Sequence, residues 1–139
     1  MLESMLRRSA LFSLLLLQAC AGNGVRPLRP LELATAPYED IISSSVTGSL
    51  MHEGGCLIFR DEETKAHYVP VWPVGSVFNG TSVIFHEPAK ADQRIVIGEE
   101  FLMEGRPAEW AEIANDYYDR FQRQCGAEPF FVSAVRPAN

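Results

Sequence analysis

The side chains whose types would support chemistry are three cysteines, three histidines and two adjacent pairs of glutamates, and their spacing decides what they can do. His52, His67 and His86 each fall at or near the end of a strand-like run. None stands in His-x-His, His-x-x-His or Glu-x-x-His spacing, the short separations that put two ligands on one side of a metal, so no metal-ligand set is assigned. Ser43-Ser44-Ser45 lacks a nucleophile elbow, no Ser-x-x-Lys is present, and no glycine-rich phosphate loop precedes a helix. Glu62-Glu63 and Glu99-Glu100 sit in turn-like segments, where solvated charge is the ordinary state. No catalytic residue and no cofactor is assigned, so an enzyme would have to assemble its site from residues distant in the chain.

Aromatic side chains offer the better lead. Tyr68, Pro70 and Trp72 alternate with Val69 and Val71, so on a strand the two sets face opposite sides. With the valines inward, Tyr68 and Trp72 form a ligand-binding platform that would stack on sugar rings or grip a peptide. With the aromatics inward they are core packing, the commoner use of large rings in a small domain.

The sharpest motif lies near the start. Arg7 and Arg8 precede the apolar run Ala10 to Leu17, which is too short to span a bilayer core of ~20 apolar residues. The run closes on Leu17-Gln18-Ala19-Cys20, which resembles the lipobox of bacterial lipoprotein precursors, although Gln18 stands where small or β-branched residues are commoner. The resemblance implies a signal peptide over residues 1–19, removed by lipoprotein-processing enzymes, and a mature chain that begins with an acylated Cys20. Membrane attachment then comes through acyl chains on that cysteine. Ala21, a residue other than Asp after the acylated position, fits release to the outer membrane of a diderm bacterium, facing the periplasm. Met5 would serve as an alternative start without changing the mature chain.

Removing residues 1–19 leaves 120 residues, with ten basic and seventeen acidic side chains and a balance of −7. Phosphate backbones are bound chiefly through Lys and Arg, so nucleic acid is not the expected partner. Residues 20–37 carry Gly22, Gly24, Pro27, Pro30 and Pro37 with little apolar periodicity, the composition of a tether. Arg26 and Arg29 within it are read as solvated, although near a bilayer they would meet acidic headgroups. A single domain over 38–139 is expected. With Cys20 committed to lipid, Cys56 and Cys125 remain as an even pair in an oxidising compartment, most simply a disulfide and less simply free thiols or metal ligands.

Strand signals dominate that domain. Val46 to His52, Cys56 to Arg60 and His67 to Trp72 are rich in β-branched and aromatic residues and are separated by Glu53-Gly54-Gly55 and Asp61-Glu62-Glu63-Thr64, which predicts a meander. Asn79-Gly80 between Val77-Phe78 and Thr81 to Phe85 predicts a type I′ hairpin. Arg94 to Ile97 and Phe101 to Met103 are two further strands, and the sheet is expected to be antiparallel. Over Pro107 to Cys125, Trp110, Ile113, Ala114, Tyr117 and Phe121 recur at helical spacing, with Pro107 as first residue, acids early, arginines late and Gly126 as the cap. Phe130 to Val135 closes the chain as a strand. Leu31-Glu32-Leu33 offers a short edge strand.

Gly48-x-Leu50, Gly55-Cys56-Leu57, Val71-Trp72-Pro73-x-Gly75 and Ile97-Gly98-Glu99 together resemble a pattern in small envelope lipoproteins with OB-like barrels, over residues 46 to 105. The fold expected is α+β and mainly β: a small antiparallel OB-like barrel or curled sheet with one C-terminal amphipathic helix and a closing strand. The departure is the helix, which follows most of the strands instead of lying between the third and fourth. The function expected is a non-catalytic, lipid-anchored module that binds or scaffolds an envelope polysaccharide or another envelope protein. The alternative is a small enzyme or enzyme accessory acting on envelope polymers.

Overall fold

The computed structural model describes residues 32–113 and 116–138. Among the described residues nine strands run in the order β1 (Ala34–Ala36), β2 (Ser44–Glu53), β3 (Cys56–Asp61), β4 (His67–Pro73), β5 (Val77–Phe78), β6 (Ser82–Phe85), β7 (Gln93–Val96), β8 (Phe101–Pro107) and β9 (Glu128–Pro137). A single 3₁₀ turn at Trp110–Glu112 and one helix, α1 (Asp116–Cys125), stand between β8 and β9. The described chain is thus mainly β, with one α-helix.

β2, β3 and β4 form the expected antiparallel meander. β8 pairs antiparallel with the other edge of β2, and β9 antiparallel with β8. The sheet is nevertheless mixed, because β9 also runs parallel to β4, with Tyr68 opposite Glu128 and Val71 opposite Phe131. Pairing returns from β4 through β3, β2, β8 and β9 to β4 again. A closed circuit of five strands has an odd number of steps, so it cannot be antiparallel at every one. β1 adds a second parallel pairing, on β4 at Val71 to Pro73. It falls within the segment whose prolines suggest a tether, immediately after the Leu31-Glu32-Leu33 candidate. Leu33, Ala34 and Ala36 are all buried.

Between β4 and β8 the chain builds a separate three-stranded sheet in the order β5-β6-β7. Its hairpin forms around Asn79-Gly80, but one residue later than a type I′ turn would place it. Val77 faces Ile84, Phe78 faces Val83, and Asn79 N–H donates to the Ser82 carbonyl, so Gly80 and Thr81 are the central pair. Gly80 alone takes a positive φ, of 99°. The side chain of Asn79 causes the shift, since its Oδ1 accepts from the backbone N–H groups of Thr81 at 3.0 Å and Ser82 at 2.8 Å. That local capture keeps Asn79 out of the centre of the turn, just past the end of β5, and passes the left-handed conformation to the glycine.

The helical periodicity over Pro107 to Cys125 resolves into less helix than expected. Pro107 ends β8 opposite Phe130, and Ala108 N–H donates to the Pro129 carbonyl at 3.0 Å, so the sheet ladder holds the chain through residue 108. The apolar stripe faces inward in part: Trp110 and Phe121 are buried, Ile113 and Tyr117 only partly so, and Tyr118, which does not belong to the expected stripe, is buried with them. Ala114, assigned to the same stripe, lies outside the described residues.

Two apolar clusters result, one on each side of β3 and β4. Leu57, Phe59 and Trp72 join Leu50, Met103 and Phe130 within the circuit of strands, where Phe78, Val83, Phe85 and Ile95 of the small sheet close over them. Ile58, Val69 and Val71 point the other way, against Trp110, Tyr118, Phe121 and Phe131. β9 serves both clusters. It carries one extra residue where the register slips between Glu104 and Gly105, so Phe130 and Val132 precede the slip and Val135 follows it on the same side. Gly105 permits the close approach there, because a Cβ would lie 1.8 Å from the Phe131 carbonyl oxygen.

Cys56 and Cys125 are bridged, with Cα atoms 5.6 Å apart. The bridge ties the end of α1 to the start of β3, as the cysteine count suggests. In the chain-entropy model a loop of this length contributes about 4 kcal/mol. Non-reducing peptide mapping of the purified protein is expected to give one linked peptide pair, and recovery of two alkylatable thiols would oppose it. Trp110→Ala and Phe121→Ala are expected to cost about 3–5 kcal/mol by thermal melt, whereas Glu109→Ala, Asp116→Ala and Asp119→Ala on the solvent side should stay within about 0.5 kcal/mol.

Candidate functional site

The helix face that meets β4 also grips β1. The hydroxyl of Tyr117 donates to the Leu33 carbonyl and that of Tyr118 to the Thr35 carbonyl. Burial, and after it the nearby Glu32 carboxylate, pushes the Tyr117 hydroxyl up to about 12, so it remains a donor at physiological pH. Arg120 reaches Glu32 at 3.4 Å, and Val74 N–H donates to the Ala36 carbonyl at 3.0 Å. The arm leading in from the N-terminal segment is therefore fixed to the domain.

Residues 37–43 continue as a strap held by charge. Glu39 pairs with Arg106 Nε at 2.9 Å, and the guanidinium of Arg106 lies 4.5 Å from the centre of the Phe131 ring and 3.4 Å from Glu112. The hydrogen bond that Arg106 donates to Glu39 raises the pKa of Arg106 further, so this cation persists throughout the accessible pH range. Tyr38 OH reaches the buried carboxylate of Glu87 at 3.3 Å, and Lys90 pairs with Glu87 at 2.8 Å. The Ser133 hydroxyl, at the extra residue of β9, lies 2.7 Å and 3.0 Å from the carbonyls of Glu39 and Ile41. These ionisable groups hold structure together.

The residues singled out by sequence are distributed as follows. Trp72 is 1% exposed and packs edge-on to Phe85, while Tyr68 is half-buried against Phe130. Both rings point into the inner cluster, so the binding platform is not formed, and the valines opposite are covered by α1. His52 meets Phe78 edge-on, and His86 Nδ1 lies 2.9 Å from Asp92. Among the described residues no three His, Cys, Asp or Glu side chains gather as a metal would require. Cys20 lies outside the described residues. No described helix is long and apolar enough to cross a membrane.

A concavity of about 190 Å³ lies where β7 passes the start of β8 and the end of β9. Ile95, Phe101 and Val135 give it an apolar floor, and Arg94, Glu99, Glu100 and Arg136 give it a rim of both charges. Arg94 Nε donates to the buried Ser82 hydroxyl at 3.2 Å, and Arg136 Nε pairs with Glu104 at 2.6 Å, so each guanidinium is anchored at one end. β7 is an edge strand of its sheet. A second hollow of about 290 Å³ is lined by Ser45, Val46, Thr47, Asp61, Glu62 and Glu63, and its charged residues are all acidic. Its Asp61 is committed to the β3–β4 turn, accepting from the N–H groups of Glu63 at 2.8 Å and Thr64 at 3.2 Å.

The first concavity is the candidate site, since it combines both charges, an apolar floor and a strand edge. Sequence reasoning did not find it. Arg94 and Arg136 are far apart in the chain, and Glu99-Glu100 looks like ordinary turn charge. No family model, curated protein or solved structure matches the chain.

Burial, the largest influence on Asp61, works to raise its pKa, but the Thr64 and Glu63 hydrogen bonds together outweigh it and leave the group below the ordinary carboxylate value. A lowered folded-state pKa stabilises above the unfolded value of about 3.9 and is lost as pH falls through the lower folded value. Asp61→Ala is therefore expected to destabilise by about 2 kcal/mol at neutral pH, with the difference from wild type shrinking in denaturant melts below about pH 4. A difference independent of pH would show that the charge is not what holds the turn.

Proposed function

We propose that the protein is a lipid-anchored component of the bacterial cell envelope, acylated at Cys20 and held at the periplasmic face of the outer membrane, where its domain binds or scaffolds another envelope component without doing chemistry itself. The observation that carries the binding role is the concavity at β7, whose apolar floor and mixed-charge rim suit recognition. The lipobox-like Leu17-Gln18-Ala19-Cys20 carries the anchor.

The pairing circuit supports an OB-like reading of the domain. A meander is followed by a strand beside its first member, and a last strand lies parallel to its third, which is the OB order. On this reading the three-stranded sheet takes the place of the helix that ordinarily closes one end. α1 then covers the outer face of β3 and β4, where OB folds commonly bind, and the binding role passes to the opposite flank at β7.

Several acyl chains at about 0.8 kcal/mol per buried methylene make attachment effectively permanent, whereas one chain alone binds marginally. Cys20→Ser is expected to abolish acylation and lipoprotein-type cleavage. Mass spectrometry of the membrane fraction checks this, and an unmodified Cys20 in the wild type, or an unaltered mature form in the variant, would overturn the anchor.

A further inference from the structure

We infer that the concavity at β7 takes an extended polypeptide segment, which adds to β7 as a further strand and sets its charged side chains against the arginines and glutamates of the rim. The inference rests on the binding role proposed above and names its partner.

Hydrogen-bond parity along β7 is the first support. Ile97 N–H donates to the Thr81 carbonyl at 3.0 Å, one step beyond the paired strands. Counting back through the antiparallel register makes Val83–Ile95 and Phe85–Gln93 the hydrogen-bonded pairs and Ser82–Val96 and Ile84–Arg94 the others. The backbone groups of Arg94 and Val96 therefore point away from β6. The Val96 carbonyl accepts from Glu99 N–H at 3.2 Å in the following turn. Among the described residues nothing pairs with Arg94 N–H, Arg94 C=O or Val96 N–H, which lie along the edge of the strand beside the concavity that both residues line. A peptide residue opposite Arg94 would exchange two hydrogen bonds, and a carbonyl two positions along would accept the third.

Charge is the second support. The rim sets Arg94 and Arg136 with Glu99 and Glu100, so a segment bearing both carboxylates and amines meets an opposite charge on either side. Its alternate side chains would rest on Ile95, Phe101 and Val135. A wall peptide with D-residues cannot continue this ladder, because strand pairing needs the regular L backbone that presents N–H and C=O every second residue.

Val96→Pro tests the contact, for it removes an outward N–H while leaving the ladder to β6 intact, the one place a strand tolerates proline. Random linear L-peptides are selected on the immobilised wild-type mature protein. Enriched sequences should carry both carboxylate and amine side chains, bind Val96→Pro about tenfold more weakly, and weaken again with Arg94→Glu. Peptide added to the wild type should also slow hydrogen exchange at the Arg94 and Val96 amides, a reading that does not depend on how well the proline variant folds. No enrichment, equal binding by Val96→Pro at wild-type stability, equal binding of the mirror-image D-peptide, or unchanged exchange at those amides would overturn strand addition. So would isolated peptidoglycan fragments that bind wild type and Val96→Pro alike. An envelope protein crosslinked to wild type and retained by Val96→Pro would leave the binding role standing and remove this account of it.

Discussion

β3 and β4 bury both of their faces, and most of the structure follows from the need to cover them. Along β4, Val69, Val71 and Trp72 are all nearly inaccessible, and along β3 Ile58 and Phe59 are likewise enclosed. Such strands expose too much apolar surface to stand at the outside of a small sheet, so each side needs a lid. The chain supplies two different ones. The insert β5-β6-β7 closes the inner side with Phe78, Phe85 and Ile95, and the segment from Trp110 through α1 closes the outer side. A ten-residue helix has little stability of its own. The Cys56–Cys125 bridge, the Trp110 Nε1 hydrogen bond to the Ala127 carbonyl at 2.7 Å and the two tyrosine hydroxyls hold it in place.

The same lid joins the N-terminal arm to the fold. β1 is three residues long and made of small side chains, so its own burial contributes little. It stays because it pairs with β4 along its length, its Thr35 carbonyl meets Tyr118, and the preceding Leu33 carbonyl and Glu32 meet Tyr117 and Arg120. Beyond it, the strap at 37–43 is kept down by Arg106, whose cation sits between Glu39 and the face of Phe131. Load passed along an anchoring segment would reach β4 directly through its pairing with β1, and Leu33 would carry it into the inner cluster at the same place.

How much of this was legible in the sequence depended on how local the determining interaction is. The sequence reports β2, β3 and β4 nearly to their ends, because alternating β-branched and aromatic residues reflect burial directly, whereas it shows β8 only as far as Met103 and β9 without two residues at either end. The hairpin at Asn79-Gly80 was found but misplaced by one residue, since four hydrogen bonds to Asn79 Oδ1 outweigh the preference of the dipeptide for a type I′ turn. The helix was read too long because Pro107 and Ala108 are claimed by a ladder to Phe130 and Pro129, partners more than twenty residues away. β1 left no trace, being Ala-Thr-Ala among prolines. Trp72 was weighed correctly as packing, yet the doubt over which face is core had the answer that both are. The disulfide needed only counting, whereas the concavity brings together Arg94 and Arg136 by tertiary pairing that no spacing records.

Charged residues on an edge strand have an ordinary explanation, since proteins use them to keep edges from pairing with other chains. β7 differs from such a guarded edge in where its charges point and in what lies beneath them. Arg94 is drawn back by Ser82, and Arg136, which would otherwise overhang the edge from β9, is drawn to Glu104. Both anchors hold cations at the margin of an apolar floor instead of across it, and the carboxylates of Glu99 and Glu100 stand at the rim without closing the gap. β1, by contrast, pairs through its whole length and is covered by α1. One edge is thus sealed by dedicated side chains, while the other lies in a concavity with its hydrogen-bonding groups presented in strand register, an arrangement suited to admitting one extended chain and excluding a broad sheet.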